Sequence, residues 1–577
     1  AYVRENHWKL THLLNYNQTF YKHDIGMLLG FEEERFVKRT TDTAKLGLID
    51  SSVGDSSSAT TPSSIGGTGE EFTSRSYFGR INYAFDSRYL FEVNMRYDGS
   101  SRFAPDNRWG LFPSFSAGWR ISEERFMKGL PIDNLKLRAS WGKLGNNAIG
   151  NYEWQAVYNS AKYAFGGSLN NGLAITSISN NLLEWESTAI TNIGIDFATL
   201  RNRLTFEAEF YNKVTDGILY RPDMYMSLGT ASGPRQNIAE VTNRGIEMTL
   251  NWQDRIGKVE YRVSGNFAYN QNKVSKYKGE LQRGWVTDEN GNRVYQTNIG
   301  DVSTGGSTRV IEGKMINEYY MLQPYKGSGN GFNADGTVNI NGGPRDGMIR
   351  TVDDMKWLNA MVGAGYKFYP RQNVSKSGIW YGDYIYADLN GDGVYGNDAD
   401  NEFQGCSNVP KYNFGLQASA NWKGFDFSMN WSGAAGFKIY YYRLALNSSA
   451  TIKGYAIGEA IANDHYFFDP KNPNDPRTNL SSKNPRLTNN SGNDQSGMTQ
   501  SSVHLQKGDY IKLKNLTIGY TLPAVLSKKV YAQNIRFFAS GENLFTITGY
   551  EGMDPEMRTA VGYSTMRQYA FGVNITF

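Results

Sequence analysis

Tyr89-Leu90-Phe91-Glu92-Val93-Asn94-Met95-Arg96-Tyr97-Asp98 is the stretch on which the fold turns. Side chains alternate between faces along a strand, so a period of two shows what each face meets. One face here is Tyr89, Phe91, Val93, Met95 and Tyr97; the other is Leu90, Glu92, Asn94, Arg96 and Asp98. Ten residues with a greasy face, a charged face and aromatics at both ends suit a strand that crosses a bilayer.

The same pattern recurs along the chain. Leu204, Phe206, Ala208 and Phe210 oppose Thr205, Glu207, Glu209 and Tyr211, and Ile246, Met248, Leu250 and Trp252 oppose Glu247, Thr249 and Asn251. Val259, Tyr261, Val263, Gly265, Phe267 and Tyr269 follow, then Phe414 to Trp422 and Phe425 to Trp431. A soluble β-sandwich or propeller also alternates, but its strands usually run about five or six residues. Segments of ten or more, with Tyr89, Tyr97, Trp252 and Trp422 near their ends, predict an all-β transmembrane antiparallel barrel.

Composition agrees. The chain has 577 residues, 14% aromatic, with 62 Gly, 38 Tyr and 30 Phe. Mean hydropathy is −0.53, and no stretch approaches the roughly 18 apolar residues of a spanning helix. A barrel reads as hydrophilic on average because half of each strand faces water. A net charge of +4 gives no support to a nucleic-acid partner. The single cysteine, Cys406, excludes a disulfide framework and a dithiol pair.

The links alternate in length. Short turns fall at Lys22-His23-Asp24, Asp86-Ser87-Arg88, Arg201-Asn202, Asp254 to Lys258 and Lys423-Gly424, with moderate links at 122–133 and 521–533. Long connections occupy about 39–72, 99–108, 145–186, 217–238, 273–409, 438–505 and 546–566. Outer-membrane barrels put short turns in the periplasm and long loops outside, so the alternation predicts sidedness. Fifteen strands are expected, at roughly 8–19, 24–38, 73–85, 88–98, 109–121, 134–144, 187–199, 202–216, 239–253, 257–272, 410–422, 425–437, 506–520, 533–545 and 567–577. An odd number cannot close a bacterial single-chain barrel, so further strands are expected before residue 1, as is a signal peptide. The last segment, 567–577, carries Tyr569, Phe571, Val573, Ile575 and Phe577 on one face and reads as an assembly signal ending on an aromatic.

Several stretches carry a specific likeness: YFGRINYAFDSRYLFEVNMRYDGSSRFAPDNRWGLFPSFSAGWRISEERFM (77–127), LKLRASWGKLGN (135–146), VTNRGIEMTLNW (241–252), YADLNGDG (386–393), YIKLKNLTIGYTLP (510–523) and SGENLFTITGYEGMDPE (540–556). In this order they resemble the C-terminal barrel of SusC-like, RagA-type TonB-dependent transporters of Bacteroidetes. That resemblance implies a 22-stranded barrel around an N-terminal plug, of which this chain would supply strands 8 to 22. The plug and TonB-contacting segment would lie upstream. It further implies a SusD-like surface lipoprotein as lid, coupling to the TonB complex, a setting in outer-membrane lipid, and an oligosaccharide or peptide substrate.

Asp388-Leu389-Asn390-Gly391-Asp392-Gly393 matches the start of an EF-hand-type loop, with oxygen ligands at positions 1, 3 and 5 and Gly at 6. Val394 would offer its carbonyl. Position 12 of a strict loop is Ala399, flanked by Asp398 and Asp400, and Asp400 resembles the family's closing Asp after a one-residue insertion. The expectation is a structural Ca²⁺ in the outside loop 273–409; the alternative is a solvated Asx/Gly turn. No other cofactor is required. Trp357, Tyr366, Tyr369, Trp380, Tyr381 and Tyr466 are candidates to stack on sugar rings, or else to pack the loops and touch a lid. The Ser/Thr-rich run Ser51 to Ser64 reads as a flexible outer loop.

Catalysis finds no footing. His7, His12, His23, His465 and His504 are scattered, with neither an HExxH pair nor a triad pattern. Import is therefore the leading expectation, with a passive porin-like or adhesive barrel as the rival. A plug and TonB box upstream would separate the two.

Overall fold

The computed structural model describes residues 2–48, 58–220, 234–277, 284–287, 293–296, 308–309, 312–369, 373–441, 459–487, 501–558, 563 and 565–577. Fifteen strands form one sheet whose order follows the chain. They are β1 (Tyr2–Phe20), β2 (His23–Leu48), β3 (Ala59–Phe85), β4 (Tyr89–Ser100) and β5 (Trp109–Arg120). β6 (Ile132–Asn146), β7 (Glu186–Thr199), β8 (Leu204–Tyr220), β9 (Gln236–Ile256) and β10 (Val259–Tyr277) follow. The last five are β11 (Tyr412–Trp422), β12 (Phe425–Ala435), β13 (Tyr510–Thr521), β14 (Asn534–Thr548) and β15 (Gln568–Thr576). Each overlaps one of the fifteen expected segments, and β1, β2 and β3 run well beyond theirs.

The chain divides into two compact units, Ala1–Leu250 with Ser275–Gly279, and Asn251–Val274 with Glu280–Phe577. In the first, the register Phe91↔Tyr83 and Phe91↔Ala117 puts the apolar residues of β3, β4 and β5 on one face. Phe91, Met95 and Phe115 on that face are about half exposed, not packed into a core. Its rings form two belts. His23, Phe85, Tyr89 and Trp119 follow one another at 5.0, 6.4 and 6.5 Å beside the short turns. Phe31, Tyr77, Trp109 and Tyr97 do so at 5.4, 6.2 and 4.8 Å near the other end. Tyr89 and Tyr97 are eight residues apart, about 27 Å of strand, close to the apolar band of an outer-membrane barrel. The second unit repeats the device: Trp422, Phe425 and Tyr520 stack at 6.1 and 4.5 Å beside the Lys423-Gly424 turn. Both turn residues have positive φ, 47° and 91°, as a two-residue I′ hairpin requires.

The long connections depart from expectation. β2 and β3 pair from His23↔Phe85 out to Leu48↔Ala59, so most of 39–72 is ladder, well beyond the 9 to 11 residues a membrane needs. Ser51 to Ser64 is thus part strand, from Ala59 on, while 51–57 lies outside the described residues. Within 145–186, Val157–Phe165 and Ser168–Ser177 form a separate hairpin turning at Gly166-Gly167. Polar alternation builds these ladders without an apolar face to announce them.

The loop 273–409 is the largest departure, because its described part is a folded body with its own core. α1 (Val352–Gly363) begins at a capping box: the Thr351 hydroxyl accepts the Asp354 N–H at 3.1 Å, and the Asp354 carboxylate accepts the Thr351 N–H at 2.8 Å. Met355, Trp357, Leu358 and Met361 of α1 are buried against Tyr325, Phe368 and Tyr395. Trp357 stacks on Tyr325 at 5.2 Å and donates its ring N–H to the Asn339 carbonyl at 2.8 Å. Gly343, at φ 70°, lies under the same ring, where an added Cβ would stand 2.5 Å from it. Full burial of side chains this large is worth about 1.5–3 kcal/mol each, so the core holds the body together.

Candidate functional site

The second face of the strands is polar, and its side chains bond to one another. In the first unit, Arg96 meets Asp98 at 2.8 Å, the Ser76 hydroxyl at 3.0 Å and Glu32 at 3.6 Å. Glu32 also takes Lys9 at 2.9 Å. Further along, Arg138 bridges Asp196 at 3.1 Å and Glu209, crossing β6, β7 and β8. Gly194 leaves the room for it, since a Cβ there would lie 2.6 Å from the guanidinium. Asn17, Asn82, Glu92, Ser116, Lys136 and Arg138 border a hollow of about 600 Å³ on this face. In the second unit, Arg536 on β14 reaches across to Asp426 on β12 at 2.8 Å. Such pairs add little stability in water. What they build is a wettable surface.

In the second unit, segments 459–487 and 346–386 are clipped together. Arg350 donates to the carbonyls of Leu480 and Ser482 at 2.5 and 2.8 Å, and the Tyr384 hydroxyl donates to the Lys483 carbonyl at 2.9 Å. Arg486 holds Asp383 through both carboxylate oxygens, at 2.9 and 3.0 Å. Burial pushes the Asp383 carboxyl up, although Arg486 pulls it down. These contacts border a groove of about 710 Å³ whose walls include Trp380, Tyr381, Tyr466, Phe467 and Phe468.

Of the six aromatics that could stack on sugars or else pack the loops, three are core. Trp357, Tyr381 and Tyr466 are buried, at 0%, 5% and 1% exposure, and a ring without an open face packs instead. Tyr366 is half-buried, edge-on to Tyr395 at 6.0 Å, and Tyr369 is exposed. Trp380 is half-buried, edge-on to Tyr381 at 5.2 Å. The groove brings Trp380, Tyr381 and Tyr466 together; Tyr366 and Tyr369 are not among its lining residues.

The Asp388 loop is closed by its own hydrogen bonds. Asp388 accepts the N–H groups of Gly391 and Gly393 at 2.7 and 2.9 Å, and Asn390 accepts that of Asp392 at 2.9 Å. Asp392 accepts the Val394 N–H at 2.8 Å, and its other oxygen takes the amide nitrogens of Asn390 and Asn397 at 2.9 and 3.0 Å. Each of those amides is fixed by a backbone bond to its own oxygen, so neither turns readily toward a cation. Asp400 spends both oxygens on the N–H groups of Leu389, Gly396 and Asn397, and burial pushes it up to about 6. Asp398 opens a short 3-10 turn. Among the described residues no three His, Cys, Asp or Glu side chains converge as a metal site.

Lys512 on β13 is buried between Asp554 and Glu556 at 2.7 and 3.0 Å, and Lys514 joins Glu556 at 2.6 Å. This network ties the Asp554-Pro555-Glu556 motif to the wall. The sequence shows the charges but not their pairing.

The family model described as "TonB dependent receptor-like, beta-barrel" matches residues 2–298. The chain belongs to that family. It is accordingly a β-barrel protein of the bacterial outer membrane, with the exposed apolar face toward lipid and the polar face toward water. Among relatives of this TonB-dependent receptor barrel are TonB-dependent receptor P39 of Formosa agariphila, 30% identical over 98% of this chain and 52% of its own length. TonB-dependent receptor SusC of Bacteroides thetaiotaomicron is 28% identical over 87% of this chain and 43% of its own. The chain thus spans about half the length of the curated relatives it matches. A structure of the RagAB peptide transporter shares the fold, with a TM-score of 0.74 at 21% identity, covering all of this chain and 56% of that one. The receptor barrel is SusC-like, as the quoted motifs imply.

Proposed function

We propose that this protein is the barrel of an energised importer that carries oligosaccharides across the outer membrane, beneath a SusD-like surface lipoprotein and driven through TonB. The observation that carries the reading is the family match, together with ion pairs on the water-facing side of the first unit's strands. Such a lining suits hydroxylated solutes, which exchange hydrogen bonds with it as they would with water. The SusC relative favours this class of transporter. A peptide cargo is the second reading, favoured by the shared fold with the RagAB peptide transporter.

The test is growth of a strain lacking this gene on single glycans and on defined peptides, with and without a functional TonB. A defect confined to one glycan class, reproduced by loss of TonB, supports the proposal. A peptide-only defect selects the second reading, and unimpaired uptake without TonB makes the barrel passive.

A further inference from the structure

Two links on the short-turn side are longer than joining their strands requires. In the second unit, Leu522 to Gln533 connects β13 to β14 through a short helix, Ala524–Ser527, and a 3-10 turn, Lys528–Val530. Lys423-Gly424 makes the same kind of connection in two residues. The longer link leaves Val525, Leu526, Val530 and Tyr531 exposed beside Lys528 and Lys529. No acidic residue lies between Leu522 and Gln533, and neither lysine has an ion-pair partner among the described residues. The link folds back over the lipid side of the wall. Ile535 shares that face with Phe537 by register, yet it is 9% exposed against 46% for Phe537, and the short helix rests on β14. Phe537 in turn lies opposite Tyr520 of the belt, so the apolar patch runs on from the lipid-facing surface.

The first unit reaches the same arrangement with different residues. Between β5 and β6, the Glu124 carboxylate accepts the Tyr89 hydroxyl at 2.7 Å and the Trp119 ring N–H at 3.2 Å. Both donors belong to the belt, so link 121–133 is pinned to the lipid side. Phe126 and Leu130 are exposed there, with Arg125 and Lys128. The nearby carboxylates are taken, Glu123 by Arg120 at 3.2 Å and Glu124 by Arg88 at 3.4 Å. Arg125 and Lys128 have no such partner among the described residues.

We propose that each link is a membrane foot that binds acidic phospholipid in the leaflet on the short-turn side. The apolar side chains enter the boundary between headgroups and acyl chains, and the basic ones reach the lipid phosphates. Outer-membrane barrels put short turns in the periplasm, so the ligand is a phospholipid of the periplasmic leaflet, recognised by its phosphate and net negative charge. Free charge of one sign around an apolar patch that continues a lipid-facing surface suits a bilayer better than a protein partner. The proposal is independent of the cargo.

The test uses the full-length transporter with Cys406→Ser and a polarity-sensitive fluorophore on Val525→Cys or Leu130→Cys. It is placed in phosphatidylcholine bilayers that contain a minority of brominated phosphatidylglycerol or, separately, of brominated phosphatidylcholine. Emission should be blue-shifted at both positions. Quenching should favour phosphatidylglycerol at least about fivefold, the weight of one basic group against an anionic surface. Lys528→Gln with Lys529→Gln should bring the preference at 525 close to one and leave that at 130 unchanged. Arg125→Gln with Lys128→Gln should do the reverse, and heat-modifiable migration checks that each variant folds. Equal quenching by the two lipids before any charge is removed overturns the acidic-lipid foot. So does a preference that the glutamine variants leave intact. A label that emits as in water, and is shielded only when periplasmic extract is added, overturns it too and makes the patch a protein-docking face.

Discussion

Replacing Arg486 with Met should loosen the folded loop body while leaving the strand wall intact. Asp383 is buried at 3% exposure and Arg486 at 13%, and the two share a bidentate contact. Truncating one partner leaves a carboxylate in a site that already pushes its ionisation up. Breaking a buried pair this way costs about 3–5 kcal/mol, which speeds native-state amide exchange by about two to three and a half orders of magnitude. The acceleration should be confined to 346–386 and 459–487. Adding Asp383→Asn should recover much of the loss, because it removes the charge but keeps an acceptor for the Trp380 N–H. The pH dependence follows in sign. A carboxyl whose folded pKa lies above its unfolded value contributes stability that is complete below about pH 4 and is lost as pH rises through the folded value. The Arg486→Met penalty should therefore shrink at pH 5 relative to pH 8, after correction for intrinsic exchange. A penalty under about 1 kcal/mol, or one that ignores pH, would refute the reasoning.

Three further outcomes are expected. Asp400, raised to about 6 by burial, should make segment 388–401 better protected at pH 5 than at pH 7.5; equal corrected exchange would show that its three backbone bonds offset the desolvation. Because the Asp388 loop is closed by its own bonds, EDTA should leave the melting temperature unchanged, and a fall restored by Ca²⁺ would show that those oxygens trade their bonds for an ion. Phe571, largely exposed on the apolar face of β15, should matter for membrane insertion. Phe571→Asp is expected to lower the folded, heat-modifiable fraction in the outer membrane several-fold, and normal levels would remove its lipid-facing role.

The strands were legible because burial in lipid on one face and water on the other writes a period of two directly into residues such as Phe91 and Glu92. The extended ladder of β2 and β3 was not, since Thr40, Thr41 and Gly66 to Thr68 carry no apolar alternation. The hairpin at 157–177 had a cue in Gly166-Gly167, but no apolar stripe to set against it. The folded loop body hid for a different reason. Its core joins Tyr325, Trp357, Phe368 and Tyr466 across more than a hundred residues, and no local period encodes such contacts. Thr351 with Asp354 three residues on, ahead of Met355, Leu358 and Met361, was the legible start of α1. Trp357, Tyr381 and Tyr466 could be read from the sequence either as stacking platforms or as packing residues, because aromatic content alone does not separate a core from a surface.

The central claim is that alternate residues of each wall strand meet lipid and water, and nitroxide scanning measures it. With Cys406 replaced by Ser, single cysteines at positions 91 to 96 of β4 carry the label in native-like bilayers. Collision with oxygen should peak at 91, 93 and 95, and collision with a water-soluble nickel chelate at 92, 94 and 96. A flat profile, or low accessibility to both reagents at 91, 93 and 95, would place those side chains inside a packed core and contradict the barrel.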